Sequence, residues 1–275
     1  MSINNRWFQL IASLILMIMI ANLQYAWTLF VAPMQRQTGW ALSDIQAAFA
    51  LFILFQTWVQ PLDGWLVDRL GPRWCDTPAG LLCGLGWAGM GYARSLPMLY
   101  TAYCGAGMGA AFVYSCSIGS ALKWFKERRG LASGIMAAGF GGGTALFIPV
   151  IQSLIASRGY QATFVATGLF QGLVILLVAQ FVRHPPLQHV ALAPASASGG
   201  SQIGKRQFTT VEMLRTPQFY WMYAAFVLMA TGGLPVTSNA GPIARSWGFS
   251  AGVLTLAATL SPLANGGARI FWGWA

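Results

Sequence analysis

The feature that most constrains this chain is where charge is missing. Eight runs between charged residues carry none: Trp7 to Gln35, Ile45 to Leu62, Thr77 to Ala93, Ser95 to Leu122, Gly130 to Ser157, Gly159 to Val182, Thr216 to Ala244 and Ser246 to Ala268. A helix needs about 20 largely apolar residues to cross a ~30 Å hydrocarbon core. In lipid a spanning segment must satisfy its own backbone hydrogen bonds. The runs therefore predict eight transmembrane helices, spans 1 to 8, and an all-α polytopic membrane protein. Only 8% of the chain is charged and 56% is apolar, against roughly 25% and 45–50% in soluble domains. That excludes a soluble enzyme and a disordered chain. The first run continues through Ala32 without a small-x-small cleavage site, so it reads as a retained helix rather than a signal peptide.

The formal net charge is +10, but the basic residues sit between apolar blocks, so no nucleic acid partner is expected. Arg6, Arg69, Arg73, Lys123, Lys126, Arg128, Arg129, Arg183, Lys205, Arg206 and Arg215 fall on one side of the spans; Arg36, Arg94, Arg158 and Arg245 fall on the other. Positive-inside bias then predicts a multi-pass cell-membrane protein with a cytoplasmic amino terminus. Arg269 remains, inside the last span.

The chain turns polar once, from His184, with Pro185-Pro186, an Ala/Ser/Gly-rich stretch and Lys205-Arg206. This is linker composition. It divides the chain into a six-helix amino-terminal bundle (1–183), a cytoplasmic linker (184–216) and two helices of a second bundle (217–275). Val211 to Arg215 could form a short helix on the membrane surface. Gly273-Trp274 repeats Gly64-Trp65, 209 residues on, which suggests two parallel six-helix halves and a chain that is a fragment of a longer one.

Glycines crowd spans 3, 4 and 5, where small residues let helices pack closely. Pro149, Pro235 and Pro262 would break or kink spans 5, 7 and 8. Cys75, Cys83, Cys104 and Cys116 lack a CxxC spacing and read as small buried hydrophobes. His184 and His189 have no metal-ligand company, and neither a metal nor a cofactor is expected.

No catalytic or phosphate-binding motif is present. The six acidic residues fall at span ends or in loops, so proton coupling is disfavoured, and exchange or facilitated diffusion is expected. Arg269 is the outlier. By the 209-residue repeat it lies about 12 Å inside the end of its span, where an arginine costs at least ~2.5–3.5 kcal/mol. A guanidinium matches a carboxylate with two parallel hydrogen bonds, so Arg269 could bind an anionic substrate. Snorkelling to the cytoplasmic surface and a structural ion pair are the alternatives. Gln24-Tyr25 in span 1 and Tyr114-Ser115 in span 4 offer hydroxyl and amide groups on apolar bodies. Gln56 and Gln60 are placed on one face of span 2 by their spacing.

Gly64-x-x-x-Asp68-Arg69-x-Gly71-x-Arg73 resembles the cytoplasmic signature of the major facilitator superfamily, departing at Pro72, where that pattern usually has Arg. From end to end the chain resembles the oxalate/formate antiporter family, in Asn5-Arg6-Trp7-Phe8, Gln24-Tyr25-x-Trp27-Thr28-Leu29, Lys123-Trp124-Phe125-x-x-Arg128-Arg129-Gly130-Leu131-Ala132-Ser133-Gly134, Glu212-Met213-Leu214-Arg215-Thr216-Pro217-Gln218-Phe219 and Asn265-Gly266-Gly267-Ala268-Arg269.

The resemblance implies a monomeric twelve-helix antiporter that exchanges small carboxylates, oxalate in and formate out, by alternating access. It implies that Arg269 grips substrate carboxylate and that Gln24, Tyr25 and Tyr114 line the pocket. A pocket tyrosine of the family is replaced here by Phe140. The family's second cation, a lysine on helix 11, would lie beyond Ala275, which leaves dicarboxylate and monocarboxylate substrates both open. Gly64, Asp68, Arg69, Gly71 and Arg73 would form a charge network that closes the cytoplasmic side against the facing half. A uniporter, a channel-like pore, a receptor for the same anion and an inactive fragment are the alternative functions.

Overall fold

The computed structural model describes residues 5–185 and 210–274. In chain order the helices are α1 (Arg6–Tyr25), α2 (Trp27–Thr38), α3 (Leu42–Trp58), α4 (Gln60–Leu70), α5 (Pro72–Met90), α6 (Leu96–Trp124), α7 (Arg129–Gly142), α8 (Ile148–Ala179), α9 (Thr210–Leu214), α10 (Pro217–Ser246) and α11 (Ala251–Trp274), with 3-10 turns at Lys126–Arg128 and Gly143–Leu146. No strand occurs among the described residues. Most of the linker, with His189, Lys205 and Arg206, lies outside them. The short helix expected at its end forms as α9.

The charge-free runs become helices, several of them bent or interrupted, but the helices of the Thr77 and Ser246 runs, α5 and α11, are not among the described helices long and apolar enough to cross a bilayer. Arg6–Thr38, Leu96–Trp124, Lys126–Ala179 and Pro217–Ser246 are each long and apolar enough to cross a bilayer, as is the pair α3 and α4, bent by 44°. The bend falls at Val59, between Gln56 and Gln60, so the two glutamines do not share one straight helix face as their spacing suggested. The 54-residue stretch to Ala179 is far longer than one crossing needs. It is divided at Gly159, whose φ of 79° and ψ of 164° are non-helical. An L side chain rarely adopts such a φ. Gly71, at φ 84°, makes the same reversal between α4 and α5, and Pro72 then starts α5 where its missing N–H costs nothing.

An aromatic stack fills the first six spans. Tyr103 stacks on Trp27 at 4.7 Å and on Phe52 at 4.5 Å, and Phe30 stacks on Phe164 at 3.9 Å beside Trp87. The Tyr103 hydroxyl donates to the Leu23 carbonyl at 2.6 Å, just before α1 is interrupted at Ala26. The outer surface reverses the soluble pattern: Trp58, Trp74, Leu85, Leu173, Trp221 and Met229 are among many large apolar side chains left exposed, as lipid contact requires.

Glycines set the helix order, though not as the composition suggested. α5 packs against α6 and α8: a Cβ on Gly84 would stand 2.9 Å from the Gly172 Cα, and one on Gly86 would stand 2.7 Å from the Ala102 carbonyl oxygen. The span 5 glycines do not join that group. Gly139 and Gly143 face Leu14 and Ile18 of α1, while Gly130, Gly134 and Gly142 face α11. Pro149 sits in the first turn of α8, just after the 3-10 break that ends α7, whereas Pro235 and Pro262 lie inside continuous helices. All four cysteines are free thiols; Cys75, Cys83 and Cys116 are buried and Cys104 is half-buried.

Candidate functional site

α7 and α11 run antiparallel with their small residues in contact. Gly130 meets Gly273, Gly134 meets the Arg269 carbonyl, and Gly142 meets Pro262 and Gly266. The Arg269 backbone is thus level with Gly134. Its side chain does not stay there, because Cβ in a helix tilts toward the amino terminus. The Arg269 Nε donates to Asn265 Oδ1, one turn back, at 2.7 Å. A Cβ on Gly141 would lie 3.4 Å from that Nε. Gly141 is about two turns along α7 from Gly134, a rise of ~10 Å. The guanidinium therefore runs away from the carboxy-terminal end of α11 toward the middle of the bundle. Bulk at position 141 would fill the space that it occupies.

Tyr25, Tyr114 and Phe140 come together from three helices at this level. Phe140 is buried, with the Tyr25 ring 5.5 Å away on one side and the Tyr114 ring 5.3 Å away on the other, both edge to face. Both tyrosines lie within electrostatic range of Arg269. Among the described residues no carboxylate pairs with Arg269. Gln24 is buried next to Tyr25, yet no described hydrogen bond ties it to the group. Ser115 instead lines a cavity of about 350 Å³ at the signature end, with Gly64, Asp68, Lys123 and Arg129.

The two halves also touch at the opposite end. Pro242 has no N–H, so the Ser238 carbonyl one turn earlier lacks its helical donor. Gln46 of α3 supplies one, its Nε2 reaching that carbonyl at 3.1 Å and Asn239 Oδ1 at 3.1 Å. Trp27 Nε1 donates to Gln46 Oε1 at 3.3 Å, and the Gly241 amide donates to Thr28 Oγ1 at 2.8 Å. The Arg269 group lies between these contacts and the Gly130–Gly273 contact.

At the signature end, Asp68 pairs with Lys123 of α6 at 2.6 Å. The Arg69 guanidinium lies 4.1 Å from the Trp65 ring centre, and Arg73 Nε donates to Gln180 Oε1 at 2.9 Å. Each of these partners belongs to the first six spans. Lys123 Nζ is also 3.4 Å from His184 Nε2, which lies 3.3 Å from the Val67 carbonyl. Burial, and then the Lys123 ammonium, push the His184 imidazole below its ordinary pKa.

One expectation about acidic residues needs correction. Asp63 and Asp76 are fully buried; the Asp63 carboxyl group has no hydrogen-bond partner among the described residues, and Asp76 has the Cys116 thiol beside it. The bundle interior does hold carboxyl groups, so the premise against proton coupling does not stand. Their position at span ends concealed this. Helix rotation turns Asp76 toward Cys116 of α6 and brings Asp63 near Cys75 of α5.

The described helices form a broken, glycine-packed bundle in which α11, carrying Arg269, lies against α7. The chain matches the Major Facilitator Superfamily over residues 12–275 and belongs to that family. It is 40% identical over 272 residues to the protein named oxalate:formate antiporter from Oxalobacter formigenes, covering 99% of this chain and 63% of that one. It is 29% identical over 243 residues to the uncharacterized MFS-type transporter YhjX of Escherichia coli K12, covering 88% and 58%. It is 27% identical over 254 residues to monocarboxylate transporter 11 of Mus musculus, covering 87% and 54%. The chain spans roughly three-fifths of the length of these relatives.

Proposed function

We propose that this chain belongs to a secondary transporter that exchanges small carboxylate anions by alternating access, in the manner of an oxalate:formate antiporter. The observation that carries the reading is the Arg269 guanidinium. It is held by Asn265, unpaired with any described carboxylate, and extended toward Tyr25, Tyr114 and Phe140. Its planar fork takes a carboxylate with two hydrogen bonds. The tyrosines present hydroxyls, Phe140 an apolar wall, and Gln24 a further amide next to Tyr25. The 40% identity to the oxalate:formate antiporter supports the substrate class.

The contacts at the two ends of the bundle supply the gates. On the opposite face the halves hold through Gln46 and Thr28; at the signature end they hold through Gly130 and Gly273. Opening one while keeping the other exposes the site to one side at a time. Gly71 fixes the turn that carries Asp68, Arg69 and Arg73, and Gly64 faces the cavity below them. Eleven basic residues on the signature side support a cytoplasmic position for that side and for the amino terminus, in a cell-membrane protein.

The test is counterflow in proteoliposomes of the purified protein. Internal formate should accelerate uptake of labelled oxalate. Arg269→Lys, which keeps charge but loses the fork, should reduce exchange at least tenfold, and Arg269→Gln should abolish it with insertion unchanged. Uptake indifferent to internal anions would favour a uniporter or pore. Normal exchange by Arg269→Gln would remove the site assignment.

A further inference from the structure

Two of the four basic residues opposite the signature side are brought together by the fold. Spans 1 and 7 both end on that face, and the Gly241–Thr28 hydrogen bond joins them. Arg36 lies in the last turn of α2 and Arg245 in the last turn of α10, so each sits where a helix C-terminus favours a cation. That accounts for each arginine alone. It does not account for their convergence on one cavity of about 450 Å³, lined also by Thr28, Gln152, Phe249 and Ser250, with no acidic side chain in its wall. The two guanidiniums are close enough to repel each other. Neither has a hydrogen bond or carboxylate partner among the described residues. Like charges gathered in a largely apolar cavity, one from each half, create a positive potential at its mouth, because the apolar wall offers nothing to offset them. The volume is in the range of small-ligand sites.

We propose that this cavity is a peripheral binding site for a small carboxylate, which Arg36 and Arg245 capture on the face opposite the signature before it passes to Arg269. The proposal rests on the carboxylate-transport reading and adds a second site to it. An anion placed between the guanidiniums replaces their repulsion with two charge-assisted contacts. Because one arginine belongs to α2 and the other to α10, occupancy also draws the halves together at this end. The site is a wide vestibule with exposed charges, suited to collecting substrate rather than selecting it.

The test separates the two sites by sidedness and by a readout independent of transport. In oriented proteoliposomes, Arg36→Gln/Arg245→Gln should raise KM for oxalate on that face about tenfold, the lower end of electrostatic steering effects. Maximal exchange and KM on the signature face should stay as in the unaltered protein. The KM difference should shrink as salt is raised from 10 to 300 mM, because exposed charges are screened. Arg36→Lys, which keeps the charge, should retain the normal KM and thereby exclude a folding defect. In an Arg269→Gln background, oxalate should still raise the unfolding temperature, and adding Arg36→Gln/Arg245→Gln should eliminate that rise. Unchanged KM on both faces would overturn the proposal. So would loss of the oxalate-dependent stabilisation on Arg269→Gln alone. If the unaltered protein exchanges no carboxylate, the transport reading fails, while the thermal measurement still reports whether this cavity binds the anion.

Discussion

Gly134→Ala tests whether the α7–α11 contact governs transport. A Cβ at this position would lie 2.7 Å from the Arg269 carbonyl oxygen and 3.3 Å from the Gly273 Cα. Ordinary contact begins near 3.4 Å, and both neighbours are backbone, so no rotamer change relieves the clash. The helices must separate by about 0.7 Å or the backbone must distort, and overpacking of this kind costs ~1–3 kcal/mol. Against that stands the gain from replacing glycine in a helix, ~0.5–1 kcal/mol. At mid-range values the clash wins by about 1 kcal/mol, a factor of roughly 5–10 in the closed contact. It falls on the residue that carries the guanidinium. Oxalate/formate exchange in proteoliposomes should drop by about tenfold. Gly105→Ala, where the added methyl meets open space, should exchange normally, and so should Gly142→Ala, whose methyl would meet the Pro262 carbonyl oxygen at an ordinary contact distance of 3.4 Å. Equal exchange by Gly134→Ala and Gly105→Ala would refute the reasoning.

Gln46→Ala should free the Ser238 carbonyl and remove the clamp between α3 and α10, shifting the halves apart on the face opposite the signature. Accessibility of Ser238→Cys to an impermeant thiol reagent should rise severalfold from that face, and no change would contradict a gating contact. Phe140→Tyr should place a hydroxyl between Tyr25 and Tyr114 and raise the oxalate-to-formate preference, read from competition for labelled oxalate uptake; an unaltered preference would show that position 140 does not face substrate. His184 titrates below its unfolded value near 6.5, so across the window between the two values the unfolded chain holds more protons and stability rises with pH. Lowering pH from 7.5 to 5.5 should reduce the unfolding temperature more in the unaltered protein than in His184→Gln, and the opposite slope would reject the packing assigned to His184.

The legible parts of this protein were those set along the chain. Arg269 stood out because one charge in an apolar run has no cheap explanation. Arg158-Gly159 interrupts spans 5 and 6 where Gly159 takes its positive φ. The buried state of Asp63 and Asp76 was not legible, since distance from a span end says nothing about rotation around the helix axis. Asp68 illustrates the same limit: its partner is Lys123, 55 residues away on α6, not the adjacent Arg69.

The sequence by itself determined that the chain is an all-α membrane protein of long apolar helices, and that one arginine is left at the end of an apolar run. Tertiary structure alone decided which helices touch, pairing the span 5 glycines with α11 and bringing Tyr25, Tyr114 and Phe140 to one place. Membrane helices are apolar on all sides, so hydrophobic periodicity does not mark the face that packs. Close backbone approach makes that choice, and it depends on glycines that meet only after the chain has folded.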